Sequence, residues 1–335
     1  MHIDTTYLML GIVVFLALAF DFINGFHDTA NAIATTVSTR ALKPRVAILM
    51  ASAMNFVGAI LFTGVAKTIG GSVANPLVLE NGVEIVIATL ISAIAWNLIT
   101  WWFGIPSSSS HALIGSLAGA VVSAEGWGSI NAGGFKDIVL GLVLSPLIAF
   151  SIGFIVMTIL KKVFANFSPH KLNKGFRSGQ ILTAALQSFA HGTNDAQKAM
   201  GIIVFALMAA NVQETDNVPL WVKISAALAM ALGTSIGGYK IIKTMGTKIF
   251  KIEPINGFAA DVTSYSVIMT GTMLHFPVSS THVITSSILG VGSAKRFASV
   301  KWGIAGKIVM SWIITIPISS IFAALVFQVI KLIFL

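Results

Sequence analysis

The sequence predicts an all-α polytopic membrane protein made of two inverted-topology repeats, with broken helices and re-entrant hairpins and about 10–12 transmembrane segments. Three observations carry this: an apolar composition, recurrent runs of span length, and an internal duplication. Of 335 residues, 56% are hydrophobic and 10% charged, where soluble domains carry roughly 25% charged residues. Mean hydropathy is +0.88. A soluble enzyme is excluded, and so are disorder and collagen, because the 30 Gly and 9 Pro follow no short period. The chain has no Cys, which removes disulfides, thiolate metal sites and Cys nucleophiles.

Crossing about 30 Å of hydrocarbon takes about 20 apolar residues. Runs near that length lie at 7–26, 47–66, 83–103, 137–160, 180–210, 220–238, 258–275 and 308–330. Shorter apolar pieces at 111–124 and 283–294 each follow a Pro-Ser-rich break and read as half-helices. Lys and Arg concentrate on the cytoplasmic side of membrane proteins. Here 16 of the 21 basic residues fall in four loops, 40–45, 161–178, 239–251 and 295–307, while the intervening loops hold Glu80, Glu84, Glu125, Asp137, Glu214 and Asp216. The net charge of +9 is therefore orientation and not a nucleic-acid signal. Five crossings, a cytoplasmic linker and five more crossings fit the loops, with both termini extracytoplasmic. The expected division is a first repeat over 1–160, a basic linker over 161–179 and a second repeat over 180–335.

The duplication is visible in the residues. FINGFHDTANA (22–32) aligns without gaps on FAHGTNDAQKA (189–199), sharing Phe22/Phe189, Gly25/Gly192, Asp28/Asp195 and Ala32/Ala199. PSSSSH (106–111) returns as PVSSTH (277–282), and Lys67-Thr68-Ile69-Gly70 as Lys243-Thr244-Met245-Gly246. An odd number of crossings per repeat inverts the second copy. That arrangement marks secondary transporters whose substrate binds where broken helices meet near mid-membrane.

Four acids, Asp21, Asp28, Asp195 and Asp261, lie inside apolar segments. Each costs about 2.5–3.5 kcal/mol at a helix centre on insertion scales, so partners are required. Lys198 is the one basic residue clearly inside, and bound cations are the economical neutraliser for the rest. Asp28 with Asn31, and Asp195 with Asn194 and Thr193, offer hard oxygen ligands suited to Na+, while a proton on a carboxylate or on His27 is the alternative. The Pro-Ser runs have the opposite chemistry. A hydroxyl run at the start of a half-helix gathers side-chain and backbone donors at a positive dipole end. Ser108, Ser109, Ser110, Ser279, Ser280 and Thr281 are thus candidates for a tetrahedral oxyanion, although any one Ser could equally serve as a helix cap. His111 and His282 close the runs in a supporting or packing role.

These motifs resemble the inorganic phosphate transporter (PiT) family of cation-coupled phosphate permeases. The signature stretches stand as GFHDTANA (25–32) and GTNDAQKAMG (192–201), with GFAAD (257–261) before PVSSTH. The resemblance spans essentially the whole chain. It implies phosphate between hairpin tips at the six hydroxyl residues, and Na+ in sodium-driven members held by Asp28, Asn31, Asn194 and Asp195, with Asp261 where many relatives have Glu. His27 and Asn55 depart from the pattern, and proton-driven relatives exist. The expected protein is a multi-pass cell-membrane symporter that imports inorganic phosphate with Na+ or H+ and needs no cofactor and no nucleic acid. Its partners are the lipid bilayer, its substrates and, in an assembly, a second copy as a homodimer. Sulfate transport is the nearest alternative. An intramembrane hydrolase is the distant one, since every candidate is duplicated where such an enzyme needs one nucleophile with one base.

Overall fold

The computed structural model describes residues 5–334, all helices and connections. Met1–Asp4 and Leu335, and with them the chain ends whose extracytoplasmic placement the charges predict, lie outside the described residues. The first half comprises α1 (Thr5–Ser38), α2 (Pro44–Leu61), α3 (Gly64–Ser72), α4 (Gly82–Phe103), α5 (Ser109–Glu125) and α6 (Ala132–Val163). The second comprises α7 (Pro169–Asp195), α8 (Gln197–Ala209), α9 (Leu220–Ile236), α10 (Tyr239–Lys243), α11 (Pro254–Met273), α12 (Ser280–Arg296) and α13 (Trp302–Phe334). The order repeats once α7 and α8, broken at Ala196, are taken as one long helix: a long helix, a medium one, a short one, a helix ending before a Pro-Ser break, a helix begun by that break, and a long helix carrying one internal proline, Pro146 or Pro317.

Local devices repeat with it. Gly104 and His275, both in the left-handed region at φ 65° and 61°, end the helices ahead of Pro106 and Pro277. Ser108 and Ser279 cap α5 and α12 by accepting from the backbone N–H of His111 and His282. Packing also comes in exchanged pairs: α1 on α9 with α2 on α7, and α5 on α13 with α12 on α6. A Cβ at Gly25 would strike the backbone of Met230, and one at Gly192 the backbone of Asn55. Small residues permit such close crossings where no hydrophobic effect drives helices together.

Five of the described helices, α1, α2, α4, α6 and α13, are long and apolar enough to cross a membrane. The pair α9 and Tyr239–Lys248, bent by 62°, makes a sixth. The expected spans 180–210 and 258–275 fall in α7–α8 and α11, whose polar residues turn inward. Gln180, Gln187, His191, Asn194, Asp195 and Asp261 are all buried. Of the expected linker, only 164–168 lies outside helix.

The basic loops share one end of the molecule. Lys301 N donates to Ile249 O at 2.9 Å, Lys161 Nζ to Ala294 O at 2.9 Å, Thr39 Oγ1 to Gln180 Oε1 at 2.6 Å, and Ser38 Oγ to Gly246 O. The acidic loops join at the other: Lys67 pairs with Asp216 at 2.9 Å, and Glu125 Oε1 accepts from Glu80 N at 2.8 Å.

Candidate functional site

The two breaks meet at the centre of the bundle. The His111 and His282 rings lie 4.4 Å apart, and His282 stacks on Trp312 at 3.9 Å. Trp312 Nε1 donates to Pro106 O at 3.2 Å. Ser110 Oγ donates to Val278 O at 3.2 Å, joining one tip to the other. Asp28, Asp195 and the six hydroxyl residues are none more than 2% exposed, so the cluster is occluded from both ends.

Around the tips the two aspartates sit in matched but unequal networks. Asn31 Nδ2 donates to Ser280 Oγ at 3.2 Å and to Thr281 Oγ1 at 2.9 Å, and Ser280 Oγ donates to Asp195 Oδ2 at 2.6 Å. In the mirrored chain Lys198 Nζ donates to Ser109 Oγ at 3.1 Å, and Ser109 Oγ donates to Asp28 Oδ2 at 3.4 Å. Thr281 Oγ1 also donates to Asp28 Oδ1 at 3.3 Å. The candidate anion ligands are therefore hydrogen-bonded to the candidate cation ligands. In this occluded state the hydroxyl protons of Ser109, Ser280 and Thr281 are committed to carboxylates.

Charge balance differs between the halves. Asp195 Oδ1 lies 2.5 Å from Lys198 Nζ, and its Oδ2 lies 2.8 Å from His191 Nε2. Among the described residues, the ion-pair partner of Asp28 Oδ1 is His27 Nδ1 at 2.6 Å, which is cationic only when protonated. His27 Nε2 is 3.1 Å from Thr100 Oγ1. One ligand atom each from Asp28, His191 and Asp195 lies within 4.8 Å of the others.

Other candidates stand apart. Asn194 braces the second tip, donating to Phe276 O and accepting from Val278 N, both at 3.4 Å, while Thr193 lies 3.2 Å from Thr272 Oγ1. Asp261 forms a cluster of its own, accepting from Thr35 at 2.7 Å and from Thr183 at 3.4 Å. Ser108 and Ser279 act as caps, and the His111 ring nitrogen Nδ1 is 2.8 Å from Ser108 Oγ. Sequence reasoning missed Thr35, Thr183 and Thr272. Lone threonines in apolar helices carry no signal until the fold brings them to a carboxylate or an amide. It did note Asn55, which lies 3.1 Å from His191 Nδ1 and donates to Thr234 at 2.9 Å.

Residues 24–323 match the model of a family described as the phosphate transporter family. A Bacillus subtilis (strain 168) protein described as a probable low-affinity inorganic phosphate transporter is 56% identical over 332 residues, covering 99% of this chain and all of the relative. A Rhizobium meliloti (strain 1021) protein of the same description is 44% identical, covering 95% of each chain. A solved structure described as the sodium-dependent phosphate transporter superposes with a TM-score of 0.84 at 27% identity, covering 97% of this chain and 99% of that one.

Proposed function

The chain belongs to the phosphate transporter family, and from that premise we propose that it is a symporter, taking up inorganic phosphate with Na+ or H+ by alternating access between two inverted repeats. Family and relatives are transporters and not enzymes. Phosphate transport is the coarse function this membership carries; the coupling is our reading, and one observation supports it. Ser280 and Ser109, at the tips where an anion would bind, donate to Asp195 and Asp28, where a cation would bind.

A cation placed on the Asp28 carboxylate competes with the Ser109 and Thr281 hydroxyl protons for its oxygens. Those hydroxyls are then released to turn toward a phosphate oxygen, and the helix starts behind them at Ser109 and Ser280 supply positive dipole ends. Conversely, an anion at the tips strengthens cation binding by direct Coulomb attraction in a water-poor centre. Loaded and empty carriers are both near charge balance, while a half-loaded one retains an unpaired buried charge. Asp261, held by Thr35 and Thr183, is a further carboxylate available to a coupling cation on the basic side of the centre. The basic end faces the cytoplasm in this reading, which gives the cell-membrane orientation.

Uptake of labelled phosphate into proteoliposomes under imposed Na+ or proton gradients tests the proposal. Accumulation against the phosphate gradient is the expected result, and equilibration alone would reduce the protein to a channel. Neutral donors accept any tetrahedral oxyanion, but protonated phosphate also donates a hydrogen bond that an aspartate can accept. Sulfate is therefore expected to compete poorly.

A further inference from the structure

We propose that the Lys198 ammonium is a built-in cation that occupies, in the second half of the site, the place a co-transported cation takes in the first. This deepens the symport reading above and rests on it.

Lys198 holds the position in the second repeat that Asn31 holds in the first. Both reach across to the other half's hairpin at the same point, Asn31 to Ser280 at 3.2 Å and Lys198 to Ser109 at 3.1 Å. The two side chains differ in what they leave behind. Lys198 is 1% exposed and sits 2.5 Å from Asp195, so that carboxylate carries its counter-charge within its own chain. A metal cation bidding for Asp195 Oδ1 meets an ammonium already there.

The Asn31 side is open in the chemical sense. Among the described residues its Oδ1 is buried with no hydrogen-bond partner, and Asp28, one helical turn earlier, pairs with His27 and with no Lys or Arg. A buried amide oxygen without a donor is uncommon, because leaving it unpaired is costly. Together with the Asp28 carboxylate it forms the oxygen-only half of a hard-cation site. The pseudo-symmetric pair therefore holds one exchangeable cation and one tethered one. The tethered ammonium moves no charge across the membrane, so each transport cycle carries one cation fewer than a site with asparagine at both positions.

The test compares wild-type protein with Lys198→Asn, which copies Asn31, and Lys198→Arg, which keeps the charge. Labelled Na+ binding to detergent-purified folded protein is counted, and phosphate uptake is measured at a fixed proton gradient with Na+ varied. Lys198→Asn is expected to bind one Na+ more than wild type. Its uptake without Na+ is expected to fall about tenfold or more and to recover with added Na+, along a dependence steeper by about one ion. Lys198→Arg is expected to keep the wild-type Na+ count. Unchanged Na+ binding in Lys198→Asn, or an equal gain in Lys198→Arg, overturns the proposal. A Lys198→Asn protein with weakened phosphate affinity and no added Na+ also overturns it, by making Lys198 a phosphate ligand. If Lys198→Asn fails to fold, Lys198→Gln, with the longer amide, is counted in its place. Failure of wild type to accumulate phosphate under any gradient would sink the symport reading instead, and the binding count still judges Lys198.

Discussion

Ser280 Oγ gives its proton to Asp195 Oδ2 at 2.6 Å, and the same oxygen accepts from Asn31 Nδ2 of the other half at 3.2 Å. A hydroxyl proposed as an anion ligand is thus held between one half's carboxylate and the other half's amide. Movement of either half against the other changes what that hydroxyl can bind. In the proposed symport this linkage carries the coupling, since a binding event can shift an equilibrium only through contacts that differ between states.

Asp28→Asn is expected to abolish gradient-driven phosphate uptake while leaving folded protein in the membrane. Among the described residues the carboxylate is held by His27, Ser109 and Thr281 and by no Lys or Arg, so the amide keeps most of these contacts and the stability change is about 1 kcal/mol. Proteoliposome uptake together with a thermal unfolding profile checks both halves of this statement.

Asp195→Asn is expected to be inactive and markedly less stable, because it strands the buried Lys198 ammonium. Breaking a buried pair on one side costs about 3–5 kcal/mol. The double variant Asp195→Asn/Lys198→Met is expected to regain much of the lost thermal stability without regaining transport. Equal unfolding temperatures for the single and double variants would mean that Lys198 is not held by this pair.

Within each hydroxyl run the roles divide. Ser279→Ala removes an N-cap that accepts from His282 N and is expected to cost about 1 kcal/mol of stability with little change in KM for phosphate. Ser280→Ala is expected to raise that KM with little loss of stability. A shared phenotype for the two variants would erase the distinction.

Gly192→Ala places a methyl group against the Asn55 backbone, and Gly25→Ala places one against Met230. Each is expected to destabilise the folded protein by about 1–3 kcal/mol through overpacking, and by similar amounts because the crossings are mirrored. Thermal stability of the purified variants in one detergent measures the comparison.

Much of this architecture was legible in the residues. The paired motifs around Asp28 and Asp195, and the two Pro-Ser breaks, are short and chemically distinctive, and the fold brings them into one cluster. The loop charges likewise separated into a basic and an acidic end, because that pattern follows from how helices insert. Less legible were the helices that carry the site's walls. Apolar runs suggested full spans over 180–210 and 258–275, but α7 and α11 bury Gln180, Gln187, His191 and Asp261 inward, and hydropathy cannot separate an inward polar face from an interruption. Side-chain direction was illegible too. Asn194, adjacent to Asp195 in sequence, points to the Phe276–Val278 backbone on the second tip, since successive helical residues face about 100° apart. The inequality of Asn31 and Lys198 was written in the alignment of the repeats, but its meaning required the shared contact with Ser280 and Ser109.

The central claim is that phosphate and a cation bind one interlocked cluster and cross together. Its most direct measurement is labelled phosphate accumulation in proteoliposomes of wild type and Asp28→Asn, with Na+ and proton gradients imposed separately. Wild type is expected to concentrate phosphate under at least one gradient and Asp28→Asn under neither. Wild-type phosphate that only equilibrates under both gradients, or Asp28→Asn that accumulates it as wild type does, would contradict the account.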